Sequence, residues 1–155
     1  MDTEITLLDM FARLGVAAGL ALVLGLEREL RGKPAGLRSH MLVALGAAAF
    51  LIVGLEILYA TAEGDPSARV DPTRIVEGVI GGIGFLGAGS IIRSGTSVHG
   101  ITTGASIWLA GAIGIAAGVH NFPLAAMVTF MALVIMVVLG GIERTLPRHR
   151  RPKGD

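Results

Sequence analysis

Long apolar runs alternate with short polar stretches along almost the whole chain. Five apolar segments stand out: Leu7 to Leu26, His40 to Tyr59, Thr73 to Ile92, Thr103 to Val119 and Pro123 to Ile142. Each is close to the roughly 20 residues with which an α-helix crosses the hydrocarbon of a bilayer. A backbone in lipid has to satisfy its own hydrogen bonds, so the pattern predicts helices. The expected fold is an all-α integral membrane protein with five transmembrane helices over residues 1–142, followed by a basic tail over 143–155.

Turn chemistry punctuates the pattern. Gly32, Pro34 and Gly36 break the first loop, and Ser39 is placed to cap the second helix. Asp71 and Pro72 open the third segment, Thr102 or Thr103 the fourth, and Pro123 fits the first turn of the fifth. Asp65-Pro66-Ser67 makes the loop between the second and third segments turn-like.

The third segment is uncharged and rich in glycine between Gly78 and Ile92. In water such a helix suffers in backbone entropy, but in lipid small residues let helices approach closely. Gly78, Gly82, Gly84, Gly87 and Gly89 are therefore expected to be packing positions, together with Trp108, the single tryptophan. Gly82-x-Gly84-x-x-Gly87 matches the letters of a dinucleotide fingerprint. That mechanism needs a strand, a tight turn and a helix N-terminus, none of which suits the middle of an apolar segment. No cofactor is expected.

Composition narrows the picture further. A chain of 155 residues that is 52% hydrophobic and 16% charged, with a mean hydropathy of +0.70, has too much apolar surface to hide as a globule. The bilayer is its main surrounding. A net charge of +1 excludes nucleic acid as a partner, and the absence of cysteine excludes disulfides and thiolate chemistry. Basic residues gather in Arg28 to Arg38, at Arg93 and from Arg144 onward, while Arg69 and Arg74 fall on the opposite side. Retention of basic loops in the cytoplasm then puts the N-terminus outside and the C-terminus inside. Asp2, Glu4 and Asp9 without a basic residue among them argue against a cleaved signal at the start.

Two charge groups carry candidate chemistry. Asp9 and Arg13 lie four apart inside the first segment, the favourable order for an intramembrane pair. Glu27, Arg28, Arg38, Arg93, His99, Thr102 and Thr103 belong to the two basic loops and would meet at a cytoplasmic mouth. There helix N-termini and arginines suit a partner or an anion. His40, His99 and His120 are dispersed, and neither a catalytic set nor metal-ligand spacing emerges, so an enzyme is not expected. The loops also echo each other: Gly15 to Gly19 aligns with Gly78 to Gly82, Gly32 with Gly95, and Gly36-Leu37-Arg38-Ser39 with Gly100-Ile101-Thr102-Thr103. Two pseudo-repeated helical hairpins plus a fifth helix are the expected arrangement.

Gly25-Leu26-Glu27-Arg28-Glu29, Ala35-Gly36-Leu37-Arg38, Gly82 through Gly89, and Gly100-Ile101-Thr102-Thr103 through Trp108 occur in the order and spacing of a known membrane domain. In these motifs the chain resembles the MgtC/SapB family. The resemblance runs from about Gly15 to Gly118, in a short form without the soluble C-terminal domain of larger members. It implies a bacterial inner-membrane protein tied to growth at limiting magnesium and, in pathogens, to virulence. It also implies a regulator that binds a membrane partner such as the membrane sector of ATP synthase. Transport of magnesium or another small solute is the alternative, and a homo-oligomer would supply a pathway that one chain lacks.

Overall fold

A computed structural model describes residues 5–64 and 71–145, the side chains of Glu143 and Arg144 excepted. Asp2, Glu4, the Asp65-Pro66-Ser67 turn, Arg69 and the tail from Arg148 onward lie outside the described residues. Four stretches are long and apolar enough to cross a membrane: Leu7–Leu30, Leu37–Gly64, Ile101–Gly118 and Phe122–Ile142. The first three are helices α1, α2 and α4. Helix α3, Thr73–Gly89, is 17 residues long, about 26 Å, and sits at the short limit for a span.

The third element departs from expectation. The helix stops at Gly89 instead of continuing to Ile92, and Ile92–Ser94 (β1) pairs antiparallel with Ser97–His99 (β2). Ser90 makes this exit by donating its hydroxyl to the Gly87 carbonyl at 2.7 Å. Helix α4 then starts after Gly100, whose φ of 87° lies in the left-handed region and whose missing side chain leaves room for the Ser90 carbonyl. No side chain caps α4, so neither Thr102 nor Thr103 has the expected capping role.

The other helix ends follow from identifiable groups. Thr6 caps α1 by accepting from the Asp9 amide at 3.2 Å. Helix α2 begins at Leu37, before Ser39, because the Glu29 carboxylate accepts from the Leu37 amide at 3.2 Å. Gly36 makes that possible, since a Cβ there would collide with the same carboxylate. Asp71 accepts from the Thr73 hydroxyl at 2.6 Å and from its amide at 2.9 Å, which holds its carboxyl below the usual range. Asn121 caps helix α5, Phe122–Val134, with Pro123 in its first turn. A π-helical turn, Ile135–Leu139, then leads to helix α6, Gly140–Thr145.

Helix α4 is the hub and packs against α1, α2, α3 and α5. The core is built from small side chains, with Ala17, Ala21, Ala44, Ala48, Ala117 and Ala125 fully buried beside Leu24 and Ile113. Small residues suit a setting in which contact between backbones replaces the hydrophobic drive available in water. Gly114 lies against the Ala44 carbonyl and the Ala47 methyl, and Gly118 against Leu51 and Ala48. Gly87 and Gly104 meet face to face, so α3 crosses α4 with each backbone close to the other.

This geometry corrects the expected packing set. Of the glycines assigned to packing in α3, only Gly87 is buried; at Gly78, Gly82, Gly84 and Gly89 an added Cβ would meet nothing within 4 Å. Trp108 is 47% exposed on the outer face of α4. The reason is topological: α3 lies at the edge of the bundle, with α4 and a small part of α2 as its neighbours, so most of its circumference faces outward.

Candidate functional site

Helix α1 carries charge at both ends of its buried face, about 22 Å apart along the axis. Its buried residues Arg13, Ala17, Ala21, Leu24, Gly25 and Arg28 recur every three or four positions, the period of a helix. The alanines pack the middle of the face and the two arginines end it.

At the Asp9 end, Arg13 donates through Nε to Asp9 at 2.7 Å and through Nη1 to the Gly118 carbonyl at 2.7 Å. Gly118 is the last residue of α4, so the guanidinium satisfies a carbonyl that the helix end leaves free. His120 adds a contact of 2.7 Å from Nδ1 to Asp9 and stacks on Phe122 with ring centroids 4.4 Å apart. It adopts a φ of 62°, and the reversal it makes between α4 and α5 presents its ring to Asp9. The expected Asp9–Arg13 pair is thus part of a junction of three segments. Sequence spacing pointed to the two residues four apart but not to His120.

The other end is more heavily buried. Arg28 is 3% exposed, yet its Nε and Nη2 find no hydrogen-bond partner among the described residues. Its Nη1 stands 3.6 Å from Glu27, and Arg31 Nε approaches the same carboxylate at 2.6 Å. Among the described residues the Glu27 oxygens accept no well-aligned hydrogen bond, so this contact is an ion pair held by distance and not by direction. Two guanidinium groups therefore face one carboxylate. Arg31 also reaches the last span: a Cβ on Gly140, just past the π-helical turn, would stand 2.6 Å from Arg31 Nη1.

His40 occupies the neighbouring interior at the start of α2, fully buried. Its Nδ1 lies 2.8 Å from the Gly36 carbonyl, which can only accept, so Nδ1 carries a proton. Nε2 then faces the Ser106 hydroxyl at 3.0 Å, while that hydroxyl also reaches the Thr103 carbonyl at 2.9 Å. The single Ser106 proton has two acceptors, and a polar chain ties α2 to α4. Gly25 brings α1 into the same assembly, since its missing Cβ would stand 2.8 Å from Leu37 Cα.

The expected mouth is only partly assembled. Glu27 and Arg28 adjoin each other, and Thr103 is buried with its carbonyl facing Ser106. Arg38, Arg93, His99 and Thr102 are exposed. Arg93 turns back on its own hairpin and donates to the Gly95 carbonyl at 3.1 Å. The hairpin that replaces the end of α3 carries Arg93 and His99 on strands whose residues all face outward. Sequence reasoning missed Arg31, His40 and Ser106 as members. The cue for His40 was present: a histidine at the start of an apolar segment needs a buried polar partner.

A model of the MgtC family matches residues 14–145. The putative magnesium transporter YhiD of Escherichia coli K12 is 37% identical over 130 residues, 84% of this chain and 60% of that protein. Protein MgtC of Brucella abortus (strain 2308) is 36% identical over 132 residues, 85% of this chain and 52% of its own length. The chain thus spans between about half and three-fifths of these relatives. No solved structure matches it. With the family match running from residue 14 of α1, through its Glu27–Arg28 end, to residue 145, this apolar bundle is a membrane protein of the MgtC family.

Proposed function

We propose that the chain is a regulatory protein of the bacterial inner membrane that acts by binding a partner membrane protein and supports growth at limiting magnesium. The observation that carries this reading is Arg28, a buried guanidinium with two donors left without a hydrogen-bond partner among the described residues. Arg28 has one loose ion pair, to Glu27 at 3.6 Å, and buried donors left without hydrogen bonds are costly, so a fold that retains them has a use for them. Because Arg28 is buried, a partner helix would have to open the bundle beside α1 to bring a carbonyl or carboxylate to it, with Glu27 and Arg31 fixing its surroundings. The membrane sector of ATP synthase is the partner the family resemblance suggests.

The Glu27 end belongs in this reading to the cytoplasmic side, with the N-terminus outside, α3 as a fifth crossing and the two connected hairpins α1–α2 and α3–α4 as related units. Basic residues at 28, 31, 33 and 38 support that orientation. Both connections also turn at a glycine of positive φ, Gly32 at 62° and Gly95 at 59°. Gly64→Cys and Ser94→Cys test the orientation, because neither position is buried and the chain has no native cysteine. A membrane-impermeant maleimide applied to intact spheroplasts should label the first variant and spare the second. Equal labelling of the two would rule this orientation out.

Magnesium transport is the second reading, supported by the similarity to YhiD, named a putative magnesium transporter. Magnesium binds through oxygen ligands and sheds its water reluctantly. In this chain Glu56 and Glu77 are exposed and lie on different helices. Liposomes holding only the purified protein separate the two readings. Magnesium flux above empty liposomes favours transport; absence of flux, with growth at limiting magnesium still dependent on Arg28, favours regulation.

A further inference from the structure

Between α2 and α3 an open apolar groove of about 760 Å³ runs from Leu42 and Leu86 at one end to Ile57 and Arg74 at the other. From Leu42 to Ile57 it follows α2 for about 22 Å. One leaflet supplies only about 15 Å of hydrocarbon, half of a core of about 30 Å. A body that fills the groove therefore passes the midplane, as a helix does and a lipid chain held in one leaflet does not. Gly46 on α2 and Gly78 and Gly82 on α3 line it, and a Cβ at any of them would meet nothing within 4 Å. The helix backbones are thus open to close approach from outside.

Charge decides which helix fits. Arg74 and Glu77 lie within a turn of Gly78, both exposed, and neither side chain makes a hydrogen bond or salt bridge among the described residues, although the Arg74 charge is felt by Asp71. A parallel copy of the same helix would bring opposite charges to each. Gly15 and Gly19 on α1 have the same spacing as Gly78 and Gly82 and are equally open, but the nearby charges Asp9 and Arg13 are already paired to each other. We propose that a second copy of this chain occupies the groove, α3 against α3 about a two-fold axis along the membrane normal, with Arg74 beside the partner's Glu77. Such a contact is self-complementary, so each charge pair forms twice.

The protein in nanodiscs or proteoliposomes provides the test, with stoichiometry read by single-molecule photobleaching across protein-to-lipid ratios. The wild type should be dimeric. Gly82→Leu should weaken the dimer by about tenfold or more while leaving thermal stability unchanged, because the added side chain meets only the partner. Arg74→Glu and Glu77→Arg should each weaken it, and the double reversal should restore it. Gly19→Leu should have no effect on stoichiometry, and Gly82→Cys should form a disulfide-linked dimer on oxidation where Gly19→Cys does not. A wild type that is monomeric at every ratio would overturn the proposal and leave the groove to lipid. A dimer that survives Gly82→Leu and both charge reversals, or that is lost in Gly19→Leu instead, would overturn it as well.

Discussion

Gly114→Leu is expected to be among the most destabilising single substitutions in the bundle, costing about 3 kcal/mol, the upper end of the usual range for overpacking. Helix α4 is the hub, and at Gly114 its backbone rests on the Ala44 carbonyl and the Ala47 methyl of α2. A leucine there cannot find a free rotamer, because the obstacle is backbone and not the end of a flexible side chain. The two helices would have to separate, and the fully buried Ala48 and Ala117 would lose contact with their surroundings. The apparent melting temperature in detergent should fall well below that of Gly82→Leu, whose new side chain has open space. Equal melting temperatures for these two variants would refute the packing account of α4.

Replacing Arg28 should separate stability from function more sharply than any other change. Arg28→Met removes a buried charge with two unpartnered donors, and Glu27 keeps Arg31 at 2.6 Å as its counter-charge. Replacing a whole buried ion pair by apolar groups is often neutral or stabilising by about 1–4 kcal/mol, whereas removing one partner destabilises by leaving a bare charge, which Arg31 prevents here. The variant should therefore accumulate in the membrane at the wild-type level and melt at the same or a higher temperature. Growth at limiting magnesium should nevertheless be lost. Arg28→Lys, which keeps a charge but not the planar fork of donors, should restore growth only in part. Wild-type growth of Arg28→Met at matched abundance would sink the partner-site reading.

Arg38 and Thr102, both expected at the cytoplasmic mouth, should act independently. Both side chains are exposed, and no shared partner links them among the described residues. Sites without a common partner combine additively, so a double-mutant cycle between them should sum to within about 0.5 kcal/mol. The residues that do share partners are Glu27 with Arg28 and Arg31, and His40 with Ser106. Any coupling should be sought there.

Hydropathy alone determined the helical membrane class and four of the five expected spans, because crossing lipid demands length and apolarity that show directly in composition. It placed the Asp9–Arg13 pair as well, since a separation of four residues on one helix is local geometry. Helix ends were less legible: α2 starts at Leu37 through a carboxylate from the preceding helix, and α3 gives way to a hairpin after Gly89. Only the tertiary structure decided which glycines pack. Gly87 and Gly78 look alike in sequence, yet one meets Gly104 and the other faces open space. A glycine's role depends on what stands across from it, and that is set by the position of α3 at the edge of the bundle. The same holds for the polar interior. That His40 would find Ser106, that Arg31 would lie against Gly140 and that Arg28 would be buried with two donors unsatisfied among the described residues are consequences of helices meeting across long separations in the chain, which periodicity within one helix does not encode.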